Sequence, residues 1–188
     1  MYTSRGETCR TEIYPEDGYV IKRFVPRKPK FGRNIDPLRG RLYLSYYREL
    51  VCLKRLKGHK HFPQIIDHNE KDLWIKMTYV GENYEKIVIN DPEIYTEQIN
   101  TIVDTLTSKK IKLAYEWKPR DGKEGYCLSM MMFRNHILSI IDFERAWPVG
   151  CDRGAEFSEL FIDSFRLHND EELRSTLVKT ISSLYEKK

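Results

Sequence analysis

Three charged side chains stand where the surrounding pattern is apolar. Lys22 follows Tyr19-Val20-Ile21, Glu49 falls inside the apolar stripe of a helix-periodic stretch, and Asp142 closes the run Ile137-Leu138-Ser139-Ile140-Ile141. A charge directed into an apolar interior is costly unless it meets its opposite. One cation and two carboxylates in such positions are suited to electrostatic chemistry, in which fixed charges are set against those of a ligand. Their plainer role is structural: an ion pair that fixes a helix, and an acid that ends a strand.

The elements that position them can be read from periodicity. Thr11-Glu12-Ile13-Tyr14 and Tyr19 to Phe24 are β-prone runs joined by Pro15-Glu16-Asp17-Gly18, a hairpin with Pro and Gly in its turn. Val25 to Gly40, with three prolines and two glycines, reads as a loop. A helix is expected from Leu42 to Lys57, ended by Gly58. Leu42, Tyr46, Leu50, Leu53 and Leu56 form its buried stripe, and Glu49 lies among them. Gln64 to His68 and Leu73 to Val80 are further strands, and a five-stranded antiparallel sheet needs a weak first strand from the amino-terminal segment.

The second half predicts a helix from Pro92 to about Lys109, capped by Asp91, with Ile94, Ile99, Ile102, Val103 and Leu106 inside. It then predicts strands 126–133 and 136–143 about a turn at Arg134-Asn135, and helices near 155–167 and 170–185. The run Met130-Met131-Met132 reads as core packing, Trp117 and Trp147 as packing anchors, and His59 and His61 as surface histidines of an extended segment.

In the order strand Lys, helix Glu, hairpin-ending Asp-Phe, the chain resembles the protein-kinase-like superfamily. The resemblance is carried by Val20-Ile21-Lys22, by Glu49 in Arg48-Glu49-Leu50-Val51-Cys52-Leu53, and by Ile140-Ile141-Asp142-Phe143-Glu144. His61-Phe62-Pro63-Gln64-Ile65-Ile66-Asp67 is similar to the stretch leading to the fourth strand, and Met77-Thr78-Tyr79-Val80-Gly81 to the last small-lobe strand entering a hinge. The likeness covers about residues 6 to 147. It implies that Lys22, held by Glu49 as an ion pair, contacts nucleotide phosphates. It also implies that Gly6, Met77 and Tyr79 border the nucleotide and that Asp142 holds Mg²⁺, with ATP and Mg²⁺ as cofactors.

The chain departs from the family pattern in three places. Ser4-Arg5-Gly6-Glu7-Thr8 retains one glycine of the Gly-rich loop, Glu144 replaces the glycine after Asp-Phe, and no His-Arg-Asp occurs. Three registers compete for the catalytic loop. In one, Tyr115-Glu116-Trp117-Lys118-Pro119-Arg120-Asp121 makes Glu116 the base and Asp121 a second metal ligand. In another, Pro119-Arg120-Asp121 makes Asp121 the base. In the third, counting back from Asp142 selects Glu124 and Ser129. An ordinary turn at Asp121-Gly122 is the plain alternative.

Composition sets the frame. The chain has 188 residues, 12% aromatic and 32% charged, which is enough for a compact core and too few for several domains. Cys9, Cys52, Cys127 and Cys151 are scattered without zinc-site spacing. No run approaches the roughly 20 apolar residues of a membrane helix, and the start lacks a signal-peptide core. The expected protein is cytoplasmic, without a membrane. Between Lys22 and Lys57 twelve Lys and Arg face only Asp36 and Glu49, leaving the rest net acidic. That basic segment could meet phosphate, nucleic acid included.

The expectation is an α+β, two-lobed, protein-kinase-like fold, with an N-lobe over 1–80 and a reduced C-lobe over 81–188. Its expected work is phosphoryl transfer from ATP to a protein or small-molecule hydroxyl, or nucleotide binding without catalysis as a pseudokinase.

Overall fold

A computed structural model describes residues 1–5, 9–25, 36–83, 87, 89–116, 130–151, 165–167 and 169–185. Its first half is built on an antiparallel sheet of strands β1 (Tyr2–Arg5), β2 (Arg10–Tyr14), β3 (Tyr19–Arg23), β4 (Ile65–Asn69) and β5 (Trp74–Thr78), in the order β1-β2-β3-β5-β4. The weak amino-terminal strand does form, pairing Tyr2 with Ile13 and Arg5 with Arg10. β3 is the central strand, with Thr11 of β2 and Ile75 of β5 flanking Lys22. Period-two alternation turns Lys22 to the face that buries Ile75 and Met77.

Helix α1 (Asp36–Arg55) connects β3 to β4. Leu42, Tyr46, Leu50, Leu53 and Leu56 are all buried as the periodicity predicts, and Glu49 is only 1% exposed among them. The helix begins earlier than expected. Asp36 to Gly40, assigned to a loop by its proline and glycine content, are helical. Pro37 is tolerated because a helix's first turn has no intrahelical use for its amide. Gly58, at φ +84°, follows the helix in the left-handed conformation that stops it.

The second part contains α2 (Glu93–Ser108) and α3 (Asp170–Tyr185), with short strands β6 (Glu82–Asn83), β7 (Ile111–Lys112), β8 (Ala114–Glu116), β9 (Met131–Arg134), β10 (Ile137–Ile140), β11 (Trp147–Pro148) and β12 (Phe165–Leu167). Three helices are thus present among the described residues. Asp91 accepts the Glu93 amide at 3.0 Å at the start of α2. The buried face is Tyr95, Ile99, Ile102, Val103 and Leu106, whereas Ile94 is 44% exposed. Tyr95 takes the inward place because its ring packs edge-on against Phe133 at 5.5 Å. α3 lies on α2 through Leu173, Leu177 and Ile181, with Arg174 bonded to Asp104 at 3.0 Å.

The predicted 126–133/136–143 pairing is a shorter hairpin. β9 and β10 pair Arg134 with Ile137, so the turn residues are Asn135 and His136, one place beyond the expected turn. Both have positive φ, 51° and 61°, the geometry of a two-residue hairpin turn, and Asn tolerates it well. Met131 is fully buried, in keeping with a packing role. The helix expected over 155–167 is corrected at its end. Phe165–Leu167 form a strand paired antiparallel to Ala114–Glu116, and 152–164 lie outside the described residues. Gly81 has φ +126°, and a Cβ there would lie 2.2 Å from the Phe133 carbonyl oxygen. Only glycine lets the chain leaving β5 pass this close to the hairpin.

Candidate functional site

The three charges singled out by the sequence meet. Strand β3 brings Lys22, α1 brings Glu49, and the residue after β10 and Ile141 is Asp142. Lys22 Nζ donates to Glu49 Oε2 at 2.9 Å and to Asp142 Oδ1 at 2.6 Å. The ammonium and Glu49 are buried, whereas the Asp142 side chain is 44% exposed. Asp142 has φ +70°, a left-handed conformation that costs a non-glycine residue of the order of 1–2 kcal/mol. Carboxylates tolerate it better than most side chains, and here it coincides with the contact to Lys22.

Glu144 also belongs to the site. Its side chain is 8% exposed and its Oε2 is 3.6 Å from Lys22 Nζ. The sequence flagged this position only as a departure from a family pattern. The available signal was the one that exposed Glu49: an acid in an apolar setting, here between Phe143 and Ala146, both buried.

Electrostatics follow from one cation among three carboxylates. Burial by itself would lower the Lys22 pKa, but Asp142, Glu49 and Glu144 together hold it well above the ordinary lysine value. Burial pushes the Glu49 carboxyl up to about 7, with Lys22 pulling it back and the neighbouring acids adding to the rise. Cys9, half-buried near the same cluster, is pushed up to about 11, chiefly by burial, and is therefore a thiol and not a thiolate nucleophile.

Two supports fix the frame. His61, expected at the surface, is 3% exposed. Its Nδ1 donates to the Leu138 carbonyl at 2.7 Å, and its own carbonyl accepts the Ile140 amide at 3.0 Å. A buried imidazole with an acceptor in reach forms a lock, and this one holds the strand that leads to Asp142. At the end of α1, one Arg55 nitrogen reaches the carbonyls of Lys109, Lys110 and Val149 at 3.3, 3.1 and 3.1 Å. Tyr47 Oη and Cys151 Sγ, 3.3 Å apart, and Arg48 over the Trp147 ring at 6.0 Å add to the same seam. Trp147 is accordingly a packing anchor.

Met77, expected beside the nucleotide, is 4% exposed on the inner face of β5. Tyr79, just beyond β5, has its amide bonded to the Gly18 carbonyl at 2.9 Å and its carbonyl to Arg134 at 3.2 Å. Its hydroxyl donates to Glu82 at 2.7 Å. Of the remaining expected residues, Glu116 is the last residue of β8, paired through its backbone with Phe165. Gly6, Asp121 and Glu124 lie outside the described residues, as do Trp117 and Ser129.

The donor set suits a hard cation that arrives with a ligand. Among the described residues no three His, Cys, Asp or Glu side chains gather into a metal site. Mg²⁺ commonly takes only one or two carboxylates and completes its shell with water and phosphate oxygens. Asp142, accessible and backed by a buried lysine, fits that use. Among the described residues no helix is long and apolar enough to cross a membrane.

No protein-family model matches the chain, and no curated protein matches it by sequence. Solved structures do. The chain is similar to the Rio2 kinase from Chaetomium thermophilum at 16% identity and TM-score 0.53, covering 99% of this chain and 66% of that one. The ADP/Mg²⁺-phosphoaspartate complex of the same kinase matches at 16% identity and TM-score 0.51, over 99% and 64%. The bifunctional kinase-methyltransferase WbdD matches at 14% and TM-score 0.51, over 96% of this chain and 44% of that one. The chain thus spans slightly under two thirds of the Rio2 chains and less than half of WbdD. With the Lys-Glu-Asp constellation carried by strand, helix and hairpin end, these likenesses establish that the chain has an α+β, two-lobed, protein-kinase-like fold.

Proposed function

We propose that the chain binds ATP with Mg²⁺ and transfers the γ-phosphate to a hydroxyl of a protein or small molecule. The observation that carries the reading is Lys22 bonded at once to buried Glu49 and accessible Asp142. In this reading Lys22 contacts the α and β phosphates, Glu49 orients the ammonium, and Asp142 holds the metal. Bound Mg²⁺ supplies neutralisation of phosphate charge. Met77 and Tyr79 border the nucleotide where β5 leaves the sheet, and Gly6 is the one retained glycine of the Gly-rich loop. A carboxylate among Glu116, Asp121 and Glu124 orients the acceptor hydroxyl, with Asp121 a second metal ligand in one register. One of the similar structures is a kinase complex with ADP and Mg²⁺, in keeping with this chemistry in such a fold.

A specific feature favours a second reading, that of a pseudokinase. Lys22 carries three acidic neighbours, and a phosphate must displace at least one of them. Nucleotide binding without turnover is the outcome if it cannot. A third reading, nucleic-acid contact through the basic 22–57 segment, rests on charge alone. The deciding experiment is thermal stabilisation by ATP with and without Mg²⁺, followed by a γ-phosphate transfer assay with self, water, a protein mixture and small alcohols as acceptors. Mg²⁺-dependent transfer supports the kinase, and binding without transfer the pseudokinase. Binding of random-sequence RNA that weakens steeply with salt, in the absence of any ATP effect, supports the third.

A further inference from the structure

We infer that Glu144 is a positioning residue for Lys22, a second buried anchor that holds the lysine independently of helix α1. The inference deepens the nucleotide reading above and rests on it for its purpose, since a lysine kept in place is useful where it meets phosphate.

Lys22 Nζ has three protons to offer and three carboxylates around it, at 2.6, 2.9 and 3.6 Å. These acids are not equivalent. Asp142 is accessible and is the one a metal would draw away. Glu49 is buried but rides on α1, so its grip is only as constant as the position of that helix. Glu144 is as buried as Lys22 itself, with both side chains 8% exposed, and it belongs to neither category.

Up to Ala146 its segment is fixed from outside α1. Phe143, the preceding residue, is fully buried with its ring centroid 6.0 Å from that of Phe62. The Ala146 amide bonds back to the Phe143 carbonyl at 3.0 Å, and the strand leading in is held by His61. None of these contacts runs through α1, which meets the segment only farther along, at Trp147, Val149 and Cys151 through Arg48, Arg55 and Tyr47. A displacement of α1 that removes Glu49, together with a metal that engages Asp142, would still leave the buried ammonium one carboxylate. A buried cation stripped of every partner would be strongly disfavoured, and Glu144 prevents that state.

The test is a stability cycle on the full chain without nucleotide, using Lys22→Met, Glu144→Gln and the double variant. If Glu144 holds Lys22, Glu144→Gln lowers the thermal midpoint in the wild-type background. In Lys22→Met, where the ammonium is gone, the same change costs clearly less or reverses sign. A change of the same sign and size in both backgrounds overturns the inference. Should Lys22→Met fail to fold, the decision passes to the Lys22 ammonium, observed by ¹⁵N NMR as a slowly exchanging signal. That signal should persist in Glu49→Gln/Asp142→Asn and vanish when Glu144→Gln is added to that pair. Its loss in Glu49→Gln/Asp142→Asn, or its survival in the triple variant, overturns the inference. Neither measurement requires ATP to bind, so failure of the nucleotide reading would be seen separately, as absence of any ATP effect on the wild type.

Discussion

Lys22 Nζ lies closer to Asp142, 120 residues along the chain, than to Glu49, which is 27 residues away: 2.6 Å against 2.9 Å. The shorter contact is made to the accessible acid, the one that a ligand can reach. Asp142→Asn should therefore separate nucleotide binding from metal. If ATP binds as proposed, the wild type at about one hundred times Kd should gain about 2.7 kcal/mol, a rise of roughly 5–11 °C in thermal midpoint for a chain of this size. The gain should depend on Mg²⁺ in the wild type and be the same with Mg²⁺ or a chelator in Asp142→Asn, since a neutral amide is a poor replacement for a carboxylate on a hard cation. Equal Mg²⁺ dependence in both proteins would count against Asp142 as the metal residue.

Removing the cation should cost more than removing one acid. Lys22→Met keeps the side-chain length but leaves buried Glu49 and Glu144 without their shared partner. A loss of about 3–5 kcal/mol is expected in urea unfolding without ligand. A loss under about 1 kcal/mol would mean that the cluster is more hydrated than its burial implies.

Catalysis, if present, should depend on one carboxylate between 116 and 124. Glu116→Gln, Asp121→Asn and Glu124→Gln compared one by one should include a variant slowed by roughly 10² to 10⁴ with nucleotide affinity nearly unchanged, as for a group that mainly positions the acceptor. Turnover unaffected in all three would place the base elsewhere.

Gly81 and Gly18 make a matched comparison. Both have positive φ, but a Cβ at Gly81 strikes the Phe133 carbonyl, whereas at Gly18 it meets nothing within 4 Å. Gly18→Ala should cost about 1–2 kcal/mol, for its conformation alone. Gly81→Ala should cost about 2–5 kcal/mol, because strain and overlap add. Similar losses in denaturant titration would show that the path beside β9 yields easily.

His61 should make stability depend on pH. Burial lowers its pKa despite the opposing bond to Leu138, so the unfolded chain takes up a proton near pH 6.5 while the native state stays neutral to lower pH. The stabilisation is complete above about pH 6.5 and is lost as pH falls toward the native-state value. Between pH 7.5 and 5.5 the thermal midpoint of the wild type should fall further than that of His61→Asn, which keeps a donor but does not titrate. Parallel declines would remove His61 as the cause.

The sequence revealed the site wherever a charge interrupted an apolar period. Lys22 and Glu49 were legible because alternation and the three-and-four spacing turn them inward. Asp142 was legible because it ends an Ile-rich strand. Glu144 carried the same signal in a stretch too short to show a period. His61 was misread because alternation with His59 describes an extended chain, whereas 59–62 bend under the hairpin and close it with two hydrogen bonds. Phe165-Arg166-Leu167 was absorbed into a helix because three residues cannot distinguish a strand from one helical turn, and only pairing with Ala114–Glu116 decides. The catalytic loop registers turn on residues 117–129, which lie outside the described residues.

Were Tyr47 and Arg48 to release Cys151 and Trp147, the grip of Arg55 on three carbonyls would make α1 a lever with its fulcrum at the carboxy-terminal end. Glu49 is six residues from that pivot, about 9 Å along the axis, and Asp36 is about 28 Å from it. A tilt of about 20° would carry the Glu49 position by roughly 3 Å, enough to part it from Lys22, while the far end swept roughly 10 Å. A force applied near Asp36 would then act with about three times the mechanical advantage of one applied beside the lysine, so a small push at the start of the helix would be geared to the Glu49 contact at its middle.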